Sequence, residues 1–171
     1  MKFAKTLLTA LVMLGIAGDV QAASTATATA TLTINVTRPS CDLTVPSSYD
    51  LGILTPGRKE HRDLNITWTC KGDVPVKTGM SVGIVNGTAN GDDKVYLMAG
   101  SQETGATLSL KDKKNGVLIK LTNTSTSDSF CTDDAAVTGL RTCTLIPVTD
   151  VASTGVFGQA SATMKFAVVY L

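Results

Sequence analysis

Residues 158–171 read GQASATMKFAVVYL, and the fold turns on how they are read. The even positions carry Ala160, Ala162, Met164, Phe166, Val168 and Tyr170, while the odd ones include Gln159, Ser161, Thr163 and Lys165. A period of two belongs to a strand that is buried on one side and wet on the other. Near the opposite terminus Ala26, Ala28, Ala30, Leu32, Ile34 and Val36 alternate with Thr25, Thr27, Thr29, Thr31, Thr33 and Asn35. Two extended segments, each with one apolar face, therefore stand at the two ends of one chain.

Ahead of the N-terminal segment, Lys2 and Lys5 precede an apolar run from Leu7 to Ala17, and Val20-Gln21-Ala22 supplies small residues at the spacing of a cleavage site. This pattern predicts a secretory signal peptide over residues 1–22. The apolar run is shorter than the roughly 20 residues a membrane span needs. Over the remaining 149 residues basic and acidic side chains balance at 13 each, so composition gives no support to a nucleic-acid or anionic-membrane partner. That length suits one domain with its own core.

The segment from Ala23 to Thr37 is uncharged, and Arg38-Pro39 ends it. Proline fixes its own φ and biases its predecessor to extended geometry, so this is a joint and not a helix start. The strict alternation favours a strand that seeks a partner over a disordered tail. Residues 23–40 thus read as an arm and residues 41–171 as a body. In the body, Leu43 and Val45 open a strand, Tyr49 to Leu54 form a short run closed by Pro56-Gly57, and Asp63 to Cys70 places Leu64, Ile66, Trp68 and Cys70 on one face. Met80, Val82 and Ile84 repeat the pattern before an Asn86-Gly87 turn. Further strands are expected at Val95 to Met98, Ala106 to Leu110, Val117 to Leu121 and Thr142 to Val148, with no helical period in any window. Short strands with regular turn signals predict an antiparallel β-sandwich of immunoglobulin type, with Trp68 packed near a disulfide.

Cys41, Cys70, Cys131 and Cys143 all lie in the exported part, where disulfides are the default and no zinc spacing occurs. Three connectivities are possible. Order along the chain favours Cys41 with Cys70 and Cys131 with Cys143, each closing a hairpin-sized excursion.

Catalytic chemistry has thin support. His61 is the only histidine and sits in the charged run Lys59 to Asp63, the composition of a solvated loop. Asp92-Asp93 and Asp133-Asp134 lack the further oxygen ligands of a calcium loop and read as turn residues. No nucleophile motif, phosphate loop or metal helix is present, so no enzyme, cofactor or metal is expected. What remains is an edge: a sandwich whose last strand ends the chain with an apolar face can leave a groove and a row of backbone donors and acceptors open beside it.

Taken together, the signal peptide, the alternating arm running into Cys41, Cys70 on the next strong strand, Gly158 fourteen residues from the C-terminus and the penultimate Tyr170 resemble the pilin subunits of chaperone–usher fimbriae of Gram-negative bacteria, over the whole chain. The resemblance implies an incomplete immunoglobulin-like sandwich lacking its last strand and completed by a donor strand from another subunit. It implies Ala26, Ala28, Ala30, Leu32, Ile34 and Val36 as the donor face, and Gly158, Ala160, Ala162, Met164, Phe166, Val168 and Tyr170 as the acceptor groove. It implies neighbouring pilins, a periplasmic chaperone and an outer-membrane usher as partners, with export through the periplasm to the cell surface. Two features depart from the family pattern. Ala stands where extensions often place an inward Gly, which leaves the insertion register open, and the pair Cys131 and Cys143 is not general.

The expected function is therefore a structural fimbrial subunit that polymerises by donor-strand exchange and supports surface attachment. The alternatives are a minor or tip pilin that itself binds a host receptor, and a secreted disulfide-bonded binding domain that does not polymerise. The arm argues against the last, because a finished sandwich has no use for it.

Overall fold

The computed structural model describes residues 39–121, 126–156 and 158–171. The predicted signal peptide and the donor face from Ala26 to Val36 lie outside the described residues. Nine strands follow in chain order: β1 Cys41–Thr44, β2 Gly57–Glu60, β3 Leu64–Cys70, β4 Thr78–Asn86, β5 Thr88–Ala89, β6 Val95–Ala99, β7 Gln102–Asp112, β8 Leu140–Val151 and β9 Thr163–Tyr170. The helical content of the described residues is a single 3-10 turn, Thr126–Asp128.

The strands make two sheets. The larger has seven strands in the order β1-β3-β8-β7-β6-β5, with β2 also paired to β8, and the smaller is β4 with β9. All pairings are antiparallel. The twelve-residue β8 is the spine. Its first half lies against β3 and its second half against β2 on one edge, while β7 runs along the other. The alternation read in Asp63 to Cys70 appears as burial: Leu64, Ile66, Trp68 and Cys70 are buried, whereas Asn65 and Thr69 are exposed. Met80 and Val82 of β4 meet them from the opposite layer and are 0% and 1% exposed.

One expected strand is absent, and the short run ahead of β2 is irregular. Tyr49 to Leu54 is loop, and Val117 to Leu121 makes only a bridge from Leu118 to Lys111. Ile119 and Leu121 are nevertheless buried, with the Ile119 amide donating to the Leu110 carbonyl at 2.9 Å, so the apolar residues of that run serve the core without a ladder. The last strand begins at Thr163 and not at Gly158; of the residues before it, Ser161 forms an isolated bridge to Met98. Conversely β2, with the sequence GRKE and all four residues exposed, has no apolar pattern to announce it.

Both disulfides follow the order favoured by the chain. Cys41 and Cys70 face each other in the register of β1 and β3, and Cys131 is joined to Cys143 of β8. Cys131 takes a positive φ of 46°, the only non-glycine among the described residues to do so. Trp68 lines the same cleft as Cys131.

A polar crossing ties the two layers together. The Trp68 Nε1–H donates to Thr78 Oγ1 at 2.9 Å, and that hydroxyl donates to Asp133 Oδ2 at 2.8 Å. The same carboxylate oxygen accepts the Thr78 amide at 2.9 Å and Arg141 Nε at 2.9 Å. Arg141 Nη2 then donates to the carbonyls of Val76 and Val137 at 2.9 and 2.7 Å, and Nη1 to that of Gly139 at 3.1 Å. The two charged side chains are only 5% and 13% exposed, a situation that is tolerable when every donor and acceptor is matched. Among the described residues no buried side-chain nitrogen or oxygen lacks a partner. Asp133 is thus no turn residue, contrary to the sequence reading: it anchors β4 to β8 across the sandwich.

Arg141→Ala removes the cation from the Asp133 carboxylate and a donor from three backbone carbonyls, and is expected to cost about 3–5 kcal/mol, measured as a lowered urea midpoint of the purified protein. The closed loops span 29 and 12 residues. Chain-entropy arguments then assign about 3.6 kcal/mol to the Cys41–Cys70 link and about 2.8 kcal/mol to Cys131–Cys143, so replacing the first pair with Ala should lower the same midpoint more than replacing the second.

Candidate functional site

The site begins with a contrast between two adjacent strands. β4 and β9 pair so that Met80 lies opposite Val168, Val82 opposite Phe166 and Ile84 opposite Met164, all on the face turned to the core. On β4 the central pair is sealed, with Met80 at 0% and Val82 at 1% exposure. Their cross-strand partners Val168 and Phe166 remain half-buried, as do Met164 and Tyr170. On the opposite face Thr163, Lys165 and Ala167 are exposed. The burial pattern of β9 thus has the period seen in the sequence, but its inner face is covered incompletely.

Incomplete cover has a structural cause. Among the described residues β4 is the only strand that pairs with β9, so the other edge of β9 carries no ladder over Met164 to Tyr170. Across that edge stands β1, which is hydrogen-bonded to β3 and not to β9. Leu43 and Val45, followed by Tyr49, Leu51 and Leu54 of the next loop, pack on the core while staying partly exposed. Apolar side chains on both sides of the boundary between β9 and the β1 segment are thus left only partly covered. One end is bridged: the Tyr170 hydroxyl lies 3.0 Å from Cys41 Sγ and donates to the Pro39 carbonyl.

Upstream of β9, Ala160 and Ala162 pack against the core and Gly158 is exposed. Gly158 has φ 140°, a conformation that a side chain disfavours, and the space around its Cα is open. Of the residues read from the sequence as a groove face, Ala160, Ala162, Met164, Phe166 and Val168 pack against the core, Tyr170 is half-buried and Gly158 is exposed. The donor-face residues fall outside the described part.

The other candidates scatter. His61 extends β2, its amide donating to the Pro147 carbonyl at 2.9 Å while Nε2 pairs with Thr149 Oγ1 at 2.8 Å. Desolvation, with a smaller contribution from the Lys59 charge, lowers its pKa and favours the neutral ring. Its contacts are those of a strand extension. Asp92 and Asp93 sit in the turn between β5 and β6, and Asp134 pairs on the surface with Lys114 at 3.4 Å. An open cleft of about 480 Å³ lies beside Asp133 and Arg141, bounded by Asp112 and Lys114. Its buried charges are already matched, because Asp112 accepts from the Lys114 amide at 2.8 Å and Asn115 Nδ2 at 3.0 Å. Among the described residues no cluster of three His, Cys, Asp or Glu side chains is placed to hold a metal ion.

No protein-family model matches the chain, and no curated protein matches it. Solved structures do. The P pilus rod subunit PapA is similar with a TM-score of 0.57 at 17% identity, over 77% of this chain and 99% of that one. A chain of a chaperone–usher pilus, from a structure that reveals the molecular basis of rod uncoiling, is similar with a TM-score of 0.57 at 16% identity, over 85% and 96% of the two chains. The protein described here has the fold of a chaperone–usher pilus subunit, an immunoglobulin-like sandwich that lacks a strand.

Proposed function

We propose that this chain is a structural subunit of a fimbria, which donates residues 23–40 as a strand to a neighbouring subunit, receives the neighbour's strand in its own groove, and supports attachment of the cell to surfaces. The observation that carries the reading is the half-buried apolar stripe of Met164, Phe166 and Val168, the last two set opposite the fully buried Val82 and Met80 of β4, beside an edge that carries no ladder among the described residues. An inserted strand would supply both missing things: backbone partners for the edge, and side chains at alternate positions for the stripe.

The arm fits this role by length and composition. From Ala26 to Val36 it offers an uncharged alternating stretch of eleven residues, against the eight residues of β9. Its lack of charge matters, because a buried unpaired charge in the groove would cost several kcal/mol. In this reading residues 1–22 direct export and are removed, a periplasmic chaperone covers the groove until assembly, and an outer-membrane usher passes subunits to the surface.

Two experiments test it. Deleting Ala23 to Thr37 should leave a chain that folds with its chaperone but forms no ladders of polymer when run in mild detergent without boiling; undiminished ladders would remove the arm from the mechanism. Phe166→Asp should sharply reduce recovery of a co-expressed chaperone complex, whereas Lys165→Glu, one residue away on the exposed face, should leave it near the unaltered level. Equal recovery of the two variants would show that the even-numbered face of β9 is not the binding surface.

A further inference from the structure

Outside the groove, large exposed apolar side chains gather at the two opposite ends of the sandwich. At the end where the arm enters the body, Leu140 is 72% exposed, Val74 69% and Val137 39%. Their neighbourhood is fixed by pairing: Leu140 lies opposite Thr69, Cys70 opposite Cys41, Val76 bridges to Val137, and the Lys71 amide donates to the Ser40 carbonyl at 2.8 Å. The exposed ion pair of Lys71 with Asp42, at 3.3 Å, gives this patch a polar rim. At the far end Ile53, in the loop between β1 and β2, is 90% exposed, and Val156, between β8 and β9, is 43% exposed. That loop leads into Gly57, which pairs with Val151 at the distal end of β8.

From this placement we infer that the two ends form a second contact between successive copies of the chain, with Leu140 and Val74 of one subunit seated against Ile53 and Val156 of the next. The inference rests on the strand-donation reading above. β9 runs towards the end that bears Tyr170 and Cys41. Antiparallel pairing is the more stable arrangement, so a donor strand beside β9 runs the other way and leaves the acceptor at its far end, near Ile53. Between Val36, the last donor residue, and Pro39, where the described body starts, stand only Thr37 and Arg38. Extended chain covers about 3.4 Å per residue, so the donor's body sits within roughly 10 Å of that exit. The donor surface brought there is the end that carries Leu140 and Val74. Two different surfaces of one chain then meet at every junction, as an open heterologous polymer requires, and the short joint keeps them together at high effective concentration.

This contact would set how stiffly subunits align rather than whether they join. Leu140→Glu and Ile53→Lys alter exposed side chains and leave the core untouched. Each alone should leave detergent-resistant ladders intact while shortening the persistence length of the filaments in electron micrographs, and the double variant, which places Glu against Lys across the junction, should recover stiffness. Lys165→Glu, on the flank of the sandwich, serves as the control and should change nothing. Intact ladders with unchanged stiffness in both single variants, or no recovery in the double, overturn the end-to-end contact and leave strand donation standing. Absence of ladders from the unaltered chain overturns strand donation itself, and this inference with it.

Discussion

A β-sandwich is stable only where each inner face has an opposite layer to lie on, and this chain supplies unequal layers. Among the described residues seven strands form one sheet and two form the other. β4 lies over the middle of the core and is sealed there, while β9, among the described residues, is paired along one edge only. The partial exposure of Met164, Phe166 and Val168 is therefore a result of counting strands and not of local sequence, since those side chains are as apolar as the ones that β4 buries. The loop residues Leu51 and Leu54 pack on the core without joining a ladder.

A margin left open invites the whole layer to slide, and the polar crossing from Trp68 through Thr78 and Asp133 to Arg141 opposes this. Its hydrogen bonds are directional, so they fix β4 against β8 at one position, where apolar packing alone would tolerate shifts. Close approach supports the same registry. A Cβ added to Gly79 would meet Thr132 Cγ2 at 2.9 Å, so β4 and the segment after Phe130 lie nearer than any side chain at that position allows.

The sequence revealed those parts whose burial alternates. β3 has one dry and one wet face, and β9 has one half-buried and one exposed face as far as Ala167, so in both the period of two in the residues appears in the burial. β2 could not be read this way, because Arg58, Lys59 and Glu60 are all exposed and the strand is held by backbone pairing to β8. Val117 to Leu121 erred in the other direction: its apolar residues reach the core from a loop, and hydrophobicity alone does not distinguish the two cases. Asp133 was misread because nothing near it in sequence signals a partner, its cation standing eight residues away and its other donors 55 residues earlier in the chain. How far the inner face of β9 is covered was not legible, since the covering of an apolar stripe depends on which strands lie beside it.

The Cys41–Cys70 link has a mechanical meaning. It sits at the first residue of β1, two positions after Pro39, where the chain enters the body. A pull on the N-terminal segment reaches β1 first, and with four residues β1 has few hydrogen bonds with which to resist being peeled away. The covalent bond diverts that load into β3, an interior strand flanked by β1 and β8. Tension is thereby shared across the broad sheet before the first rung of the β1 ladder has to open.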